Sequence, residues 1–140
     1  MAEKMGTVVS GFHHAALRAA DFDASVRFYT RGLGMKQVLA WGEGDGRAVM
    51  LDAGNGNRIE VFAGASGGHP PKEADRALLH LAFSTANCDK ALEAARAAGA
   101  VVTAEPKTVT IPSTPPAVVR IAFCTGPDGE VLEFFQSSDV

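Results

Sequence analysis

Apolar and polar positions along this chain follow two rhythms, and the same succession of rhythms occurs twice. "HHAALRAADFDASVRFYTRGLGM" and "LHLAFSTANCDKALEAARAAGAV" each open on a short alternating run and then pass into a helical period. Aligning His14 with His80, an offset of 66 residues, brings Phe22, Val26, Tyr29 and Leu33 onto Cys88, Leu92, Ala95 and Gly99. Steps of four, three and four lie along one helical face, so both segments predict a strand followed by a helix with the same buried stripe. Asp21 and Asn87 stand where N-caps are needed, and the glycines at 32 to 34 and at 99 supply stop signals.

The halves also end alike. "RAVMLDAGNGNRIEVF" and "RIAFCTGPDGEVLEFF" align at an offset of 73, which pairs Glu60 with Glu133. Each reads as strand, turn, strand, because "GNGN" and "GPDG" carry residues that tolerate positive φ. The offset grows by seven residues between the two alignments, and the Pro-rich "TVTIPSTPPAVV" is expected to hold the surplus as a loop. Each half thus predicts a strand, a helix and about three strands. Module one covers about 10–63 and module two about 77–137, joined by a surface linker, "GASGGHPPKEADR", at 64–76. Neither module is large enough to bury a good core alone, so the two are expected to form one domain.

Strand alternation then singles out four polar residues. In "RIEVF", Ile59 and Val61 share one face while Arg58, Glu60 and Phe62 share the other. In "VLEFF", Leu132 and Phe134 alternate with Glu133, and in "LLHLAF", Leu79, Leu81 and Phe83 alternate with His80. Near the start, His13, Ala15 and Leu17 alternate with His14, Ala16 and Arg18. Each module therefore supplies one His on its first strand and one Glu on its last. Two imidazoles and two carboxylates suit a divalent metal, through nitrogen lone pairs and compensating oxygen charge. A lone strand histidine is usually structural, and a lone glutamate near a strand end is usually solvated. The repeated placement of both is what favours a site. His13 and the linker residue His69 read as structural or solvated, and Arg47 and Arg120 match across the repeat as a trace of duplication.

Composition narrows the partners. A net charge of −3 gives no reason to expect nucleic acid or an anionic membrane. No apolar stretch reaches the length of a membrane span, and the start of the chain carries no signal-peptide pattern. Two cysteines, Cys88 and Cys124, without C-x-x-C spacing, argue against a disulfide framework and fit a reducing cytoplasm.

With these residues in view, the chain resembles the vicinal oxygen chelate superfamily, and within it glyoxalase I, from about Phe12 to Gln136. "FYTRGLGM", "NRIEVF", "LLHLAF" and "GPDGEVLEFF" carry the resemblance. It implies an α+β fold of two βαβββ modules whose curved mixed sheet forms a metal-binding cup. It implies that His14, Glu60, His80 and Glu133 are the metal ligands, with Ni or Zn expected first and Co, Mn or Fe also suited to such donors. It implies proton transfer through a metal-bound enediolate of a 2-oxoaldehyde–thiol adduct, with Glu133 as base and Glu60 as the opposing catalytic carboxylate. Arg18 matches an arginine that holds a glutathione carboxylate in glyoxalase I. "VFAGASGG" lacks the asparagine some members use for glutathione, and "KTVTIPSTPPAVV" replaces a loop with glycine and lysine, leaving Lys107 as the nearest substitute. Other members imply other activities. An extradiol dioxygenase would use iron on His14, His80 and Glu133, leaving Glu60 unneeded. An epimerase typically has Gln where Glu60 stands, and a sequestering resistance protein often lacks the metal set. By analogy a homodimer is expected, acting on a small molecule, with no nucleic-acid or membrane partner.

Overall fold

The computed structural model describes residues 13–64, 78, 80–113 and 115–139. The linker beyond Gly64, with His69, and Leu79 fall outside the described residues, as does the start of the chain. The first module runs β1 (His14–Arg18), α1 (Phe22–Arg27), β2 (Lys36–Trp41), β3 (Ala48–Gly54) and β4 (Asn57–Phe62). The second repeats the plan as β5 (Leu81–Ser84), α2 (Cys88–Ala97), β6 (Val101–Ile111), β7 (Ala117–Thr125) and β8 (Val131–Gln136). Two mixed four-stranded sheets result, in the orders β1-β4-β3-β2 and β5-β8-β7-β6. The first strand of each module lies parallel to the last, and the other pairings are antiparallel.

Both helices start as their caps dictate. The Asp21 and Asn87 carboxyl and amide oxygens accept from the Ala24 and Lys90 N–H groups, at 3.0 Å in each case. They end differently. After Arg27 the first helix widens into a π turn, Phe28–Gly32, in which the Leu33 N–H reaches the Phe28 carbonyl at 3.0 Å. Gly32 is more than a stop signal: a Cβ there would meet the Ala98 Cβ at 2.6 Å, so its missing side chain lets the two helical segments touch. The "GNGN" hairpin has Asn55 and Gly56 both at positive φ, 55° and 78°, as a two-residue loop of the right hand for twisted strands requires.

Burial alternates along β4, while β3 is buried on both faces from Ala48 to Leu51 and β8 from Leu132 to Phe134. Leu51, Ile59 and Val61 from one sheet and Ala122, Cys124, Leu132 and Phe134 from the other are buried in one cluster with Phe22, Phe28, Tyr29, Leu92 and Ala95 of the helical segments. Fully burying a side chain such as Leu92 contributes about 1.5–3 kcal/mol. The two sheets thus turn their inner faces toward one shared core.

The seven surplus residues are not a loop. Thr108–Ile111 continue β6, and pairing with β7 runs from Val101–Thr125 to Ile111–Ala117. Alternating β-branched residues in "TVTI" favour strand, so the surplus lengthens a hairpin and the Pro-rich connection shrinks to 112–116. The Arg47–Arg120 match is a contact repeated in both modules. Arg47, just before β3, pairs with Asp23 at 3.2 Å, and Arg120 in β7 pairs with Asp89 at 2.9 Å, each reaching the first turn of its module's helix. The two cysteines are buried and free, and burial pushes the Cys124 thiol up to about 11. Among the described residues no helix is long and apolar enough to cross a membrane.

One clasp crosses between modules. The Tyr29 hydroxyl donates to Glu130 in the β7–β8 turn, and Asp128 in the same turn accepts from the Ala20 N–H at 2.7 Å. Burial and the Glu130 carboxylate push the Tyr29 phenol above its ordinary range. The folded state therefore keeps a proton that the unfolded chain loses above pH about 10, and stability should fall there by up to about 1.4 kcal/mol per pH unit. Tyr29 is the only tyrosine in the chain, so phenolate absorbance checks this directly. It should rise only together with loss of helical circular dichroism. A phenolate signal in the intact fold would contradict the clasp.

Candidate active site

Each sheet offers its other face to the site. On the first, the pairing places Ala16 beside Glu60, Arg18 beside Phe62, Met50 beside Glu60, and Trp41 beside Ala48, all on one side. On the second, Ala82 lies beside Glu133 and Glu133 beside Phe123. In both modules the histidine stands two residues before that alanine. The small side chain leaves room for the carboxylate to reach diagonally to the imidazole.

The contacts that follow are nearly identical. His14 Nε2 lies 3.2 Å from Glu60 Oε1, and His80 Nε2 lies 3.1 Å from Glu133 Oε1. The glutamates are the deeper partners, at 13% and 9% side-chain exposure against 35% and 39% for the histidines. Each pair thus presents one ring nitrogen and one carboxylate oxygen toward solvent, with His14 opening β1 and His80 standing just before β5 rather than in it.

The structure brings the expected four together two by two. Among the described residues no group of three or more His, Cys, Asp or Glu side chains is placed to hold one metal ion within a single chain. The reason is topological. Each pair sits on the face of its sheet that points away from the shared core.

The surroundings of the two pairs differ. His13 does not stand apart from its neighbour: its Nδ1 lies 3.0 Å from His14 Nδ1, with the rings edge-to-face at 83°. Strand parity is no guide here, because His13 precedes the first residue of β1 and its ring is free to fold back. The His80 ring meets the edge of Phe123, with centroids 5.7 Å apart. Arg18 lies on the His14 face, its guanidinium 5.6 Å over the Phe62 ring and donating to the Ala63 carbonyl at 3.2 Å. Trp41, on the edge strand and 42% exposed, meets Phe62 edge-on at 6.3 Å. Sequence reasoning missed Trp41 and Phe123. Both become visible once strand register, rather than strand parity alone, is known.

Comparison with known proteins agrees with this architecture. A family model described as Glyoxalase/Bleomycin resistance protein/Dioxygenase superfamily matches residues 11–134. The lactoylglutathione lyase of Salmonella typhimurium is 30% identical over 129 residues, covering 90% of this chain and 92% of that protein. The probable lactoylglutathione lyase of Vibrio cholerae is 28% identical over 127 residues, covering 89% and 88%. A glyoxylase/bleomycin resistance protein/dioxygenase domain from Frankia sp. EAN1pec superposes with a TM-score of 0.70 at 25% identity, covering 92% of this chain and 98% of that one. The chain belongs to the glyoxalase/bleomycin resistance protein/dioxygenase superfamily.

Proposed function

We propose that the protein is a metal-dependent lyase/isomerase of the glyoxalase I type, acting on the adduct of a 2-oxoaldehyde with a thiol. The observation that carries this reading is the pair of equivalent His–Glu contacts, His14–Glu60 and His80–Glu133, one on the outward face of each module. The relatives named lactoylglutathione lyase support it.

The donor set fits a divalent ion in halves. Each pair offers one nitrogen and one oxygen, and the ion takes four such donors. Since the two pairs face away from a common core, a second copy of the chain is the natural source of the missing half. The ion is then held by His14 and Glu60 of one protomer with His80 and Glu133 of its partner in a homodimer. Nickel or zinc suits this set. When bound, the ion would act as a Lewis acid toward charge developing on two neighbouring oxygens of the substrate.

The protein's own groups do the rest. Glu133 takes the proton from C1 of the adduct and returns it to C2, while the hydroxyl proton passes from the C1 oxygen to the C2 oxygen, so the same carboxylate serves as base and then acid. Its neighbours in the chain, Leu132 and Phe134, point to the opposite face and anchor the strand in the core, which fixes its position for both steps. Glu60 faces it from the other half and differs from it in role once substrate is bound. Arg18 holds an anionic group of the substrate through the guanidinium N–H groups not bonded to Ala63. The thiol is left unspecified, because the residues that some relatives use for glutathione are replaced here.

The test is turnover of methylglyoxal by the nickel- or zinc-loaded protein, with glutathione and with other thiols. Formation of a 2-hydroxyacyl thioester with one of them is the expected result. No product with any thiol, together with oxygen uptake on catechols, would assign the protein to the dioxygenases of the superfamily.

A further inference from the structure

The contact between His13 and His14 has a chemical consequence. Two neutral imidazoles facing each other through Nδ1 at 3.0 Å can share only one proton between those atoms. If His13 donates, His14 carries its own proton on Nε2 and points an N–H at Glu60. If His14 donates, its Nε2 lone pair is left facing Glu60 and free for a metal ion. Only the second arrangement makes His14 a ligand.

We infer that His13 is a positioning residue, whose Nδ1 accepts the His14 Nδ1–H when His14 Nε2 ligates the ion and so favours the ligating tautomer. The inference rests on the metal-site reading above. A ligating histidine generally gives its second N–H to an acceptor, which fixes the ring and raises its basicity. Here the acceptor is the adjacent residue. The pair carries two ring protons in either arrangement, one between the Nδ1 atoms and one on an Nε2, so the exchange moves the second from His14 Nε2 to His13 Nε2 through solvent with no change in charge. His13 would serve as donor in the metal-free protein and as acceptor in the metal-bound one. The second module lacks the device, since Leu79 stands at the equivalent position of the repeat and Phe123 flanks His80 instead.

The experiment compares His13→Leu, His13→Asn and His14→Ala with the wild-type protein. Zinc affinity is measured by chelator competition, and the protection of each imidazole Nδ1–H from solvent exchange by proton–nitrogen NMR on the zinc-loaded proteins. The Asn side-chain oxygen can accept a hydrogen bond where His13 Nδ1 does, and Leu cannot. His13→Leu should lower zinc affinity by about tenfold and weaken the His14 Nδ1–H signal, with His80 unaffected. His13→Asn should restore both. Wild-type affinity and an undiminished His14 Nδ1–H signal in His13→Leu, alongside lost binding in His14→Ala, would overturn the role of His13 and leave the metal site standing. Equal losses in the Leu and Asn variants would overturn it as well, as they would indicate packing alone. Absence of zinc binding by the wild-type protein would overturn both readings.

Discussion

Glu133→Gln should lower turnover of the thiol adduct by about 10²–10⁴-fold, the usual contribution of a positioned proton-transfer group. The substitution keeps the volume and leaves a carbonyl oxygen near His80, so the fold has no reason to change. What disappears is a group able to accept a proton and give it back. Glu133 is the more buried of the two carboxylates, and its flanking residues Leu132 and Phe134 are 0% and 3% exposed. Its orientation is therefore fixed by the core, as shuttling between two adjacent carbons requires. The measurement is kcat at saturating metal, with a parallel melt to show the fold intact. Full activity would remove Glu133 as base, and a larger loss in Glu60→Gln would transfer the role to the other carboxylate.

The second large effect concerns where the ion sits. A chain carrying His14→Ala and Glu60→Ala, and a chain carrying His80→Ala and Glu133→Ala, should each bind no metal alone. Mixed and allowed to exchange, they should recover about a quarter of the wild-type metal content. Half of the dimers would be mixed, and each mixed dimer would unite the intact first module of one chain with the intact second module of the other. A site contained within one chain would show no recovery, because each chain lacks one of its halves. Metal analysis of the separated dimers decides between the two, and absence of recovery would confine the site to a single chain.

Much of the fold was legible because the repeat is written in features that act locally. Caps at Asp21 and Asn87, the Asn55-Gly56 turn and the period of the helical stripe each specify their own element. Parity within β4 and β8 correctly put Glu60 and Glu133 opposite the core-facing Ile59, Val61, Leu132 and Phe134. Parity says which side of a strand a residue is on. It does not say how two sheets are disposed, so the four side chains could be grouped in pairs but not placed around one point. The His13 contact was hidden for a related reason: alternation does not bind a residue that lies just outside its strand. The long β6–β7 hairpin was not legible because prolines at 112, 115 and 116 signal a loop, whereas the β-branched residues at 108–111 extend the strand up to them. The Tyr29–Glu130 clasp joins positions 101 apart, and no local pattern announces such a contact.

The two imidazoles have unequal neighbours, a second nitrogen heterocycle for His14 and a hydrocarbon ring for His80. Duplication supplied matching halves, and divergence has since given each its own electronic character. A pocket assembled from such halves has no internal two-fold axis, so it could tell the left of a flat carbonyl compound from its right. Handedness in the product would then originate in the residues behind the donors rather than in the donors themselves.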